Sequence, residues 1–375
     1  MTVTLKPGRL TGKLAAMPSK SDLHRLMIAM HLAGMDIDAL PVISDDIAAT
    51  KACLQSDGIC NCRESGSTLR FLLPVMAALG KNVTFTGEGR LPARPMQPLV
   101  DLLRGHGCDI DNDRLPIAIS GQLLPGQFTL PGDVSSQYIT GLLFALPLLS
   151  GDSEIMLASP LESLGYVNMT LRTLKTFSIE IAKTANSYHV SGNQKYLPPA
   201  VSPLTAEADW SNAAFWLAAN ALGSGIHVTH LDENSAQPDR ATVPLLKNCG
   251  EMDASQCPDL VPVMAVVMAL TPGEHRIINA ARLRLKESDR LHAMAQNLCS
   301  LGADAEELPD GLVIRGKLFL QGGEVNGFGD HRIAMAMAIA ALRCEQGVTL
   351  HGAEAVRKSY PKFWEDYQRL GGQLS

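Results

Sequence analysis

Along the chain, six runs rich in Ala, Leu, Met and Val each open on a small or acidic polar cluster and close on a glycine. They begin near Ser19, Ser65, Ser135, Asp209, Asp259 and Asp330, and they end at Gly34, Gly80, Gly151, Gly223, Gly273 and Gly347. A polar cap at the start and a glycine at the stop are the signature of a helix. Because apolar residues cover nearly the whole circumference, each helix is expected to be buried. Short β-like runs follow several of them, at Val83–Thr86, Ile226–Leu231, His275–Ile278 and Val348–His351. Amphipathic helices come next, at Pro98–Gly107, Ser288–Gly302 and Pro361–Gly371. Hairpin strands are then readable over Cys108–Ser120 and Ala303–Gly316, which gives a β-α-β-α-β-β unit and an α/β class.

The unit recurs in two sets of three. Ser19 and Asp209, Ser65 and Asp259, and Ser135 and Asp330 are separated by nearly constant distances along the chain. The segments Asp57–Glu64 and Gly250–Pro258 are too short for the trailing hairpin, so two units, equivalent in the two halves, are expected to be truncated. The resulting expectation is a domain of residues 19–206 inserted into a discontinuous domain of residues 1–18 plus 207–375. The chain would cross between them near 18–20 and 203–209, and two such strands would serve as a hinge.

Composition narrows the function. Of 375 residues, 46% are hydrophobic and 19% charged, which supplies large cores and excludes a disordered chain. A formal charge of −6 argues against general nucleic-acid or membrane-surface binding, so any basic site must be local. The eight cysteines show neither Cys-x-x-Cys nor zinc-type spacing and are expected to be reduced thiols in a cytoplasmic protein. No apolar stretch reaches the roughly 20 residues of a membrane helix, and the N-terminus has no signal or transit pattern.

The candidate chemistry gathers at the helix starts, where unpaired N–H groups and the helix dipole favour anions. Lys20-Ser21-Asp22-Leu23-His24-Arg25 opens the first helix, and Ser65-Gly66-Ser67-Thr68-Leu69-Arg70 the second. Arg94-Pro95 precedes another helix, and Ser135-Ser136-Gln137 leads into a third apolar run. Each fits an ordinary capped helix as well as an anion site; the recurrence favours a small polyanion as ligand. Acid–base candidates lie in the second half: Asp259 ahead of a long uncharged run, the cluster Lys286-Glu287-Ser288-Asp289-Arg290, and Asp330-His331-Arg332, whose burial against an apolar helix requires partners. His24, His292 and His331 lack zinc-enzyme spacing, and no phosphate-loop or dinucleotide fingerprint is present, so no metal and no nucleotide cofactor is expected.

Taken in order, Lys20-Ser21-x-x-x-Arg25, Ser65-Gly66-x-Thr68-x-Arg70, Arg94-Pro95, Ser135-Ser136-Gln137, Ser163-x-x-Tyr166, Pro258-Asp259, Lys286-Glu287-x-Asp289-Arg290, Asp330-His331-Arg332 and Lys358-Ser359-Tyr360-Pro361 resemble the 5-enolpyruvylshikimate-3-phosphate synthase family. The resemblance spans the chain from Lys20 to Pro361. It implies a two-domain inside-out α/β barrel of six such units, closing over two substrates. The implied reaction moves the enolpyruvyl group of phosphoenolpyruvate to the 5-hydroxyl of shikimate 3-phosphate and releases phosphate, in the shikimate pathway of aromatic amino-acid biosynthesis. By likeness, Lys20, Ser21, Arg25, Ser135, Ser136, Gln137, Ser163, Asp259 and Lys286 would bind shikimate 3-phosphate. Lys20, Gly66, Arg94, Gln137, Arg290, Arg332 and Lys358 would bind phosphoenolpyruvate, and Asp259, Glu287 and Lys20 would be catalytic. No cofactor, metal, nucleic acid or membrane partner is implied, and a monomer is expected.

Two other readings are weighed against this one. A related enolpyruvyl transferase that acts on UDP-N-acetylglucosamine shares the fold, but its loop before Arg-Pro typically carries a cysteine, and Glu88-Gly89-Arg90-Leu91-Pro92-Ala93 has none. A binding protein that had lost turnover would be free to lose Asp259 or Glu287; both remain. Glu64, where the family often has Asn, and Met17, where a Gly is common, are departures from the pattern.

Overall fold

The computed structural model describes residues 1–200 and 203–375 and has a mixed α/β architecture. It divides into two compact units: a discontinuous one, Met1–Ser19 with Glu207–Ser375, and a continuous one, Lys20–Ala206. Each has its own hydrophobic core.

Three four-stranded sheets share one pattern. In the continuous unit the orders are Ile59–Asn61, Val83–Thr86, Ile117–Gly121, Cys108–Ile110 and Gln127–Leu130, Ser153–Leu157, Ser187–Val190, Ile181–Lys183. In the discontinuous unit the order is Glu251–Asp253, Gly273–Ile278, Gly311–Gly316, Asp304–Leu308. In every case the first two strands are parallel and the others join antiparallel. A three-stranded sheet repeats the motif with chain ends: Gly323–Asn326 runs parallel to Val348–His351, which pairs antiparallel with Thr2–Leu5. The single strands Ile59–Asn61 and Glu251–Asp253 stand where the sequence leaves no room for a hairpin.

A parallel pair needs a crossover, and the apolar runs supply it. The helix Gly66–Ala78 links Ile59–Asn61 to Val83–Thr86, and Ser136–Ala145 links Gln127–Leu130 to Ser153–Leu157. In the other unit Val261–Ala269 and His331–Ala341 do the same for Glu251–Asp253 with Gly273–Ile278 and for Gly323–Asn326 with Val348–His351. Each crossover helix is buried over most of its length, as its unbroken apolar surface requires. Each therefore begins just beyond the carboxyl end of a strand, the place where open α/β sheets collect ligands. Two further buried helices, Lys20–Leu32 and Trp210–Ala221, complete the set. Asp259 does not cap its helix: it lies inside a short 3-10 turn, Pro258–Leu260, and the α-helix starts at Val261. The proline sets the turn, and the carboxylate is left available to side chains.

Candidate active site

In the discontinuous unit the site is organised by one guanidinium. Arg290, in the first turn of Arg290–Ser300, has a side chain only 1% exposed and gives each of its three nitrogens to a different carboxylate. Nε donates to Asp330 Oδ2 at 2.8 Å, Nη1 to Asp259 Oδ1 at 2.9 Å and Nη2 to Glu287 Oε2 at 2.9 Å. Burial of a charge is costly without partners, and here the partners are complete. Asp330 caps His331–Ala341 through the Arg332 N–H and also accepts from Ser288 Oγ.

Arg332 reaches back to donate from Nη2 to Asp259 Oδ2 at 2.8 Å and from Nη1 to the Asp259 carbonyl at 3.3 Å. Both Asp259 oxygens thus face cations. Burial by itself would raise this carboxyl, but Arg332, Arg290 and Lys286 outweigh it and hold it well below the usual carboxylate range. Burial lowers Arg290, and the three carboxylates more than reverse that, leaving it above the ordinary arginine value. Lys358, at the end of the 3-10 helix Ala353–Lys358, donates to the Gly329 carbonyl immediately before Asp330. Lys286 ends the 3-10 helix Ala281–Leu285, with Glu287 beside it. All the candidates of this unit, Asp259, Lys286, Glu287, Arg290, Arg332 and Lys358, therefore belong to one neighbourhood. Asp259 and Glu287 keep about a fifth of their side-chain surface open.

In the continuous unit the hydrogen bonds of Arg25 and Arg70 go to hydroxyl, amide and carbonyl oxygens, while Lys20 meets a carboxylate. Lys20, in the first turn of its helix, pairs with Asp46 at 2.6 Å. Arg25 is 3% exposed and donates to Thr170 Oγ1, to the Tyr166 carbonyl and to the Ser21 carbonyl, beneath the Phe71 ring. Burial lowers its guanidinium to about 10, with Asp22 acting in the opposite direction. Ser163 precedes the helix Leu164–Thr176 that carries Tyr166 and adopts a left-handed backbone (φ 55°) unusual for serine.

At the next helix start, Ser65 accepts from Thr68 N–H and Gly66 follows. A Cβ on Gly66 would stand 2.6 Å from Arg94 Nη1 and 2.7 Å from Arg70 Nη1, so both guanidinium groups lie against bare backbone. Arg70 donates to Gln137 Oε1 at 2.9 Å and to the Pro95 carbonyl, while Gln137 donates to Ser67 Oγ at 2.9 Å. Ser135 caps the Ser136–Ala145 helix through the Gln137 N–H. Gly66, Arg94, Ser135, Ser136 and Gln137 thus lie together at the starts of two helices, Gly66–Ala78 and Ser136–Ala145, while Lys20 stands with Asp46 at the start of Lys20–Leu32. Ser21, Arg25 and Ser163 gather around Tyr166 and the helix Lys20–Leu32.

One residue matters here that pattern reading passed over, Asp46, which holds Lys20; Arg70, part of the second helix-start motif, ties Gln137 to Pro95, and Asp330, one of the acid–base candidates, anchors Arg290. Asp46 follows Ser44, the cap of Asp45–Leu54, and reads in sequence only as a first-turn acid.

Among the described residues no cluster of His, Cys, Asp and Glu able to hold a metal ion is found, and no helix is long and apolar enough to cross a membrane. Helix starts lined with cations, hydroxyls and bare backbone in one unit, and a pair of carboxylates sharing one guanidinium in the other, define a protein equipped to bind anions and move protons.

Comparison with known proteins gives the particular family. The profile of EPSP synthase (3-phosphoshikimate 1-carboxyvinyltransferase) matches residues 13–251 and 240–367. The 3-phosphoshikimate 1-carboxyvinyltransferases of Clostridium kluyveri and Clostridium novyi are 41% and 39% identical over 419 and 429 aligned residues; each alignment covers 99% of this chain, with 98% and 97% of the relative. These spans exceed the chain itself, so the relatives carry residues that it lacks. The structure of EPSP synthase from Acinetobacter baumannii superposes with a TM-score of 0.80 at 23% identity, covering 100% of this chain and 99% of the other. The enolpyruvyl transferase NikO from Streptomyces tendae gives 0.76 at 14%, which shows the shared fold. The chain belongs to the EPSP synthase family, the transferases of the shikimate pathway that join phosphoenolpyruvate to shikimate 3-phosphate.

Proposed function

We propose that this chain transfers the enolpyruvyl group of phosphoenolpyruvate to the 5-hydroxyl of shikimate 3-phosphate, with the residues above in named roles. The observation that carries the assignment is the sharing of Arg290 by Asp259 and Glu287, which fixes two carboxylates on adjacent nitrogens of one rigid fork. The addition needs one group to take the hydroxyl proton as oxygen attacks C2 and another to give a proton to C3; elimination then returns the C3 proton as phosphate leaves. Asp259 takes the first role. Glu287, assisted by Lys20, takes the second in both directions, and the departing phosphate carries away the proton that Asp259 took.

In the free enzyme Asp259 is a weak base because two arginines neutralise it. A substrate anion that engages Arg332 competes with this pairing and returns basicity to the carboxylate. Ser135, Ser136, Ser163, Arg25, Ser21, Gln137, Asp259 and Lys286 bind shikimate 3-phosphate. Lys20, Gly66 backbone, Arg94, Gln137, Arg290, Arg332 and Lys358 bind phosphoenolpyruvate and neutralise the leaving phosphate, so positioning and electrostatics supply much of the rate. A monomeric enzyme and a cytoplasmic site of action belong to the reading.

The test is phosphate release from phosphoenolpyruvate, assayed with shikimate 3-phosphate and, separately, with UDP-N-acetylglucosamine as acceptor. Release with the first alone supports the reading; release only with the second, or with neither, overturns it.

A further inference from the structure

Behind the start of the Gly66–Ala78 helix runs a chain of buried hydrogen bonds that none of these roles uses. His24 Nδ1 lies 2.7 Å from Thr50 Oγ1, Thr50 Oγ1 lies 2.6 Å from Thr68 Oγ1, and Thr68 Oγ1 lies 2.7 Å from Ser65 Oγ. None of the four residues is more than 1% exposed. They tie together the helices Lys20–Leu32, Asp45–Leu54 and Gly66–Ala78.

Proton counting gives the chain a direction. The second imidazole nitrogen, Nε2, is buried with no hydrogen-bond partner among the described residues. A buried N–H without an acceptor costs more than an unmet lone pair, so the proton belongs on Nδ1. Each hydroxyl has one proton to give. Nδ1–H therefore donates to Thr50, Thr50 to Thr68 and Thr68 to Ser65, the Asp46 carbonyl at 3.5 Å being the poorer acceptor for Thr68. Ser65 Oγ, which also takes the Thr68 N–H at 3.2 Å, is fixed as a double acceptor at the helix cap.

We propose that His24 is a positioning residue for the phosphoenolpyruvate subsite, acting through Thr50 and Thr68 to lock Ser65 and the Gly66 backbone against which Arg94 and Arg70 stand. The inference rests on the reading of Gly66 and Arg94 as that subsite. The imidazole must stay neutral for the relay to hold: burial, then the charges of Lys20 and Arg25 on its own helix, push it well below the ordinary histidine range. From the neighbouring helices the Thr50 hydroxyl and, edge-on, the Phe71 ring stand against it.

Steady-state kinetics on the full chain test this. His24→Leu and the isosteric Thr50→Val are expected to raise KM for phosphoenolpyruvate about tenfold, the effect of one lost hydrogen bond in a network, while KM for shikimate 3-phosphate stays unchanged. His24→Asn, whose amide N–H falls where Nδ1–H was, should retain the native KM; His24→Gln, which places the amide at the Nε2 position, should not. Nitrogen-15 NMR should show a neutral, Nδ1-protonated ring. Parallel rises in both KM values, an asparagine variant as impaired as the leucine one, or an Nε2-protonated ring would overturn the proposal. Gly66→Ala separates the two levels. If it leaves KM for phosphoenolpyruvate unchanged, the subsite reading fails; if it raises KM and His24→Leu does not, the relay alone fails.

Discussion

In the discontinuous unit one guanidinium is wrapped by three carboxylates, and a second arginine closes on one of them. In the continuous unit Arg25 meets a hydroxyl and two carbonyls, and Arg70 meets an amide and a carbonyl. The contrast separates two tasks that a single mixed cluster would confuse. Guanidinium groups hydrogen-bonded to hydroxyl, amide and carbonyl oxygens lose less of their charge than those bonded to carboxylates, and helix starts add N–H groups that favour anions. Guanidinium groups bonded to carboxylates hold those acids in fixed places and favour their charged forms. On the proposed roles, the two acids that move protons, Asp259 and Glu287, are both held by carboxylate–guanidinium pairs, while anion-binding residues come from both units.

The comparison breaks most visibly at Asp259 and Glu287. Asp259→Ala and Glu287→Ala are expected to lower kcat by about 10²–10⁴-fold, the usual worth of a positioned acid or base, with shikimate 3-phosphate and phosphoenolpyruvate still binding. Removal of Asp259 also frees Arg332 and one face of Arg290, so phosphoenolpyruvate affinity should hold or rise. Single-turnover kinetics with separate binding titrations read the two effects apart. Turnover near the native rate in either variant would remove its assigned role.

Gly66→Ala probes the capture side. The guanidinium ends that its methyl would meet are the mobile tips of two long side chains, not backbone. The helix should therefore survive and the arginines should give way. About a tenfold rise in KM for phosphoenolpyruvate is expected from two displaced charge-assisted donors, with thermal stability little changed. An equal loss in stability and in binding of both substrates would mean that the glycine serves packing instead.

How much of this was legible before the fold was known follows the range of the interactions. Helix starts were readable because Ser65, Ser135, Asp209 and Asp330 cap the helices they precede, through contacts only two or three residues long. The closing glycines were less uniform: Gly34, Gly80, Gly223 and Gly273 take positive φ, whereas Gly151 and Gly347 do not. Gly151 and Gly347 mark the stop by position, not by a left-handed cap. Asp259 illustrates the limit. Its place before an apolar run reads as a cap, but the proline ahead of it makes a 3-10 turn, and its partners lie 31 and 73 residues away. Residue types can nominate a cluster; which carboxylate meets which arginine is a property of the crossovers. The His24 relay was invisible for the same reason, since Thr50 reads as an ordinary helix position until three helices bring it beside Thr68.

Acid should separate the two units by different titrations. His24 is neutral and buried, with its folded pKa below the ordinary 6.5. The unfolded chain therefore binds a proton that the folded one refuses, and stability falls as pH drops below about 6.5, by at most about 1.4 kcal/mol per pH unit, until the folded pKa is reached. Asp259 also has a depressed folded pKa, but against an ordinary value of 3.8. Its contribution is fully present above that value and is lost only as pH falls from about 4 toward the folded pKa. The continuous unit, carrying His24, should thus soften first, and the discontinuous unit should hold until stronger acid. Hydrogen exchange followed peptide by peptide between pH 7 and pH 3 reads this directly, with Lys20–Leu32 and Gly66–Ala78 set against His331–Ala341. His24→Asn should flatten the upper part of the profile in the continuous unit and leave the lower part of the other unit intact. Loss of protection in both units at the same pH, unaltered by that substitution, would show that the buried histidine and the arginine-bound aspartate do not govern their own units.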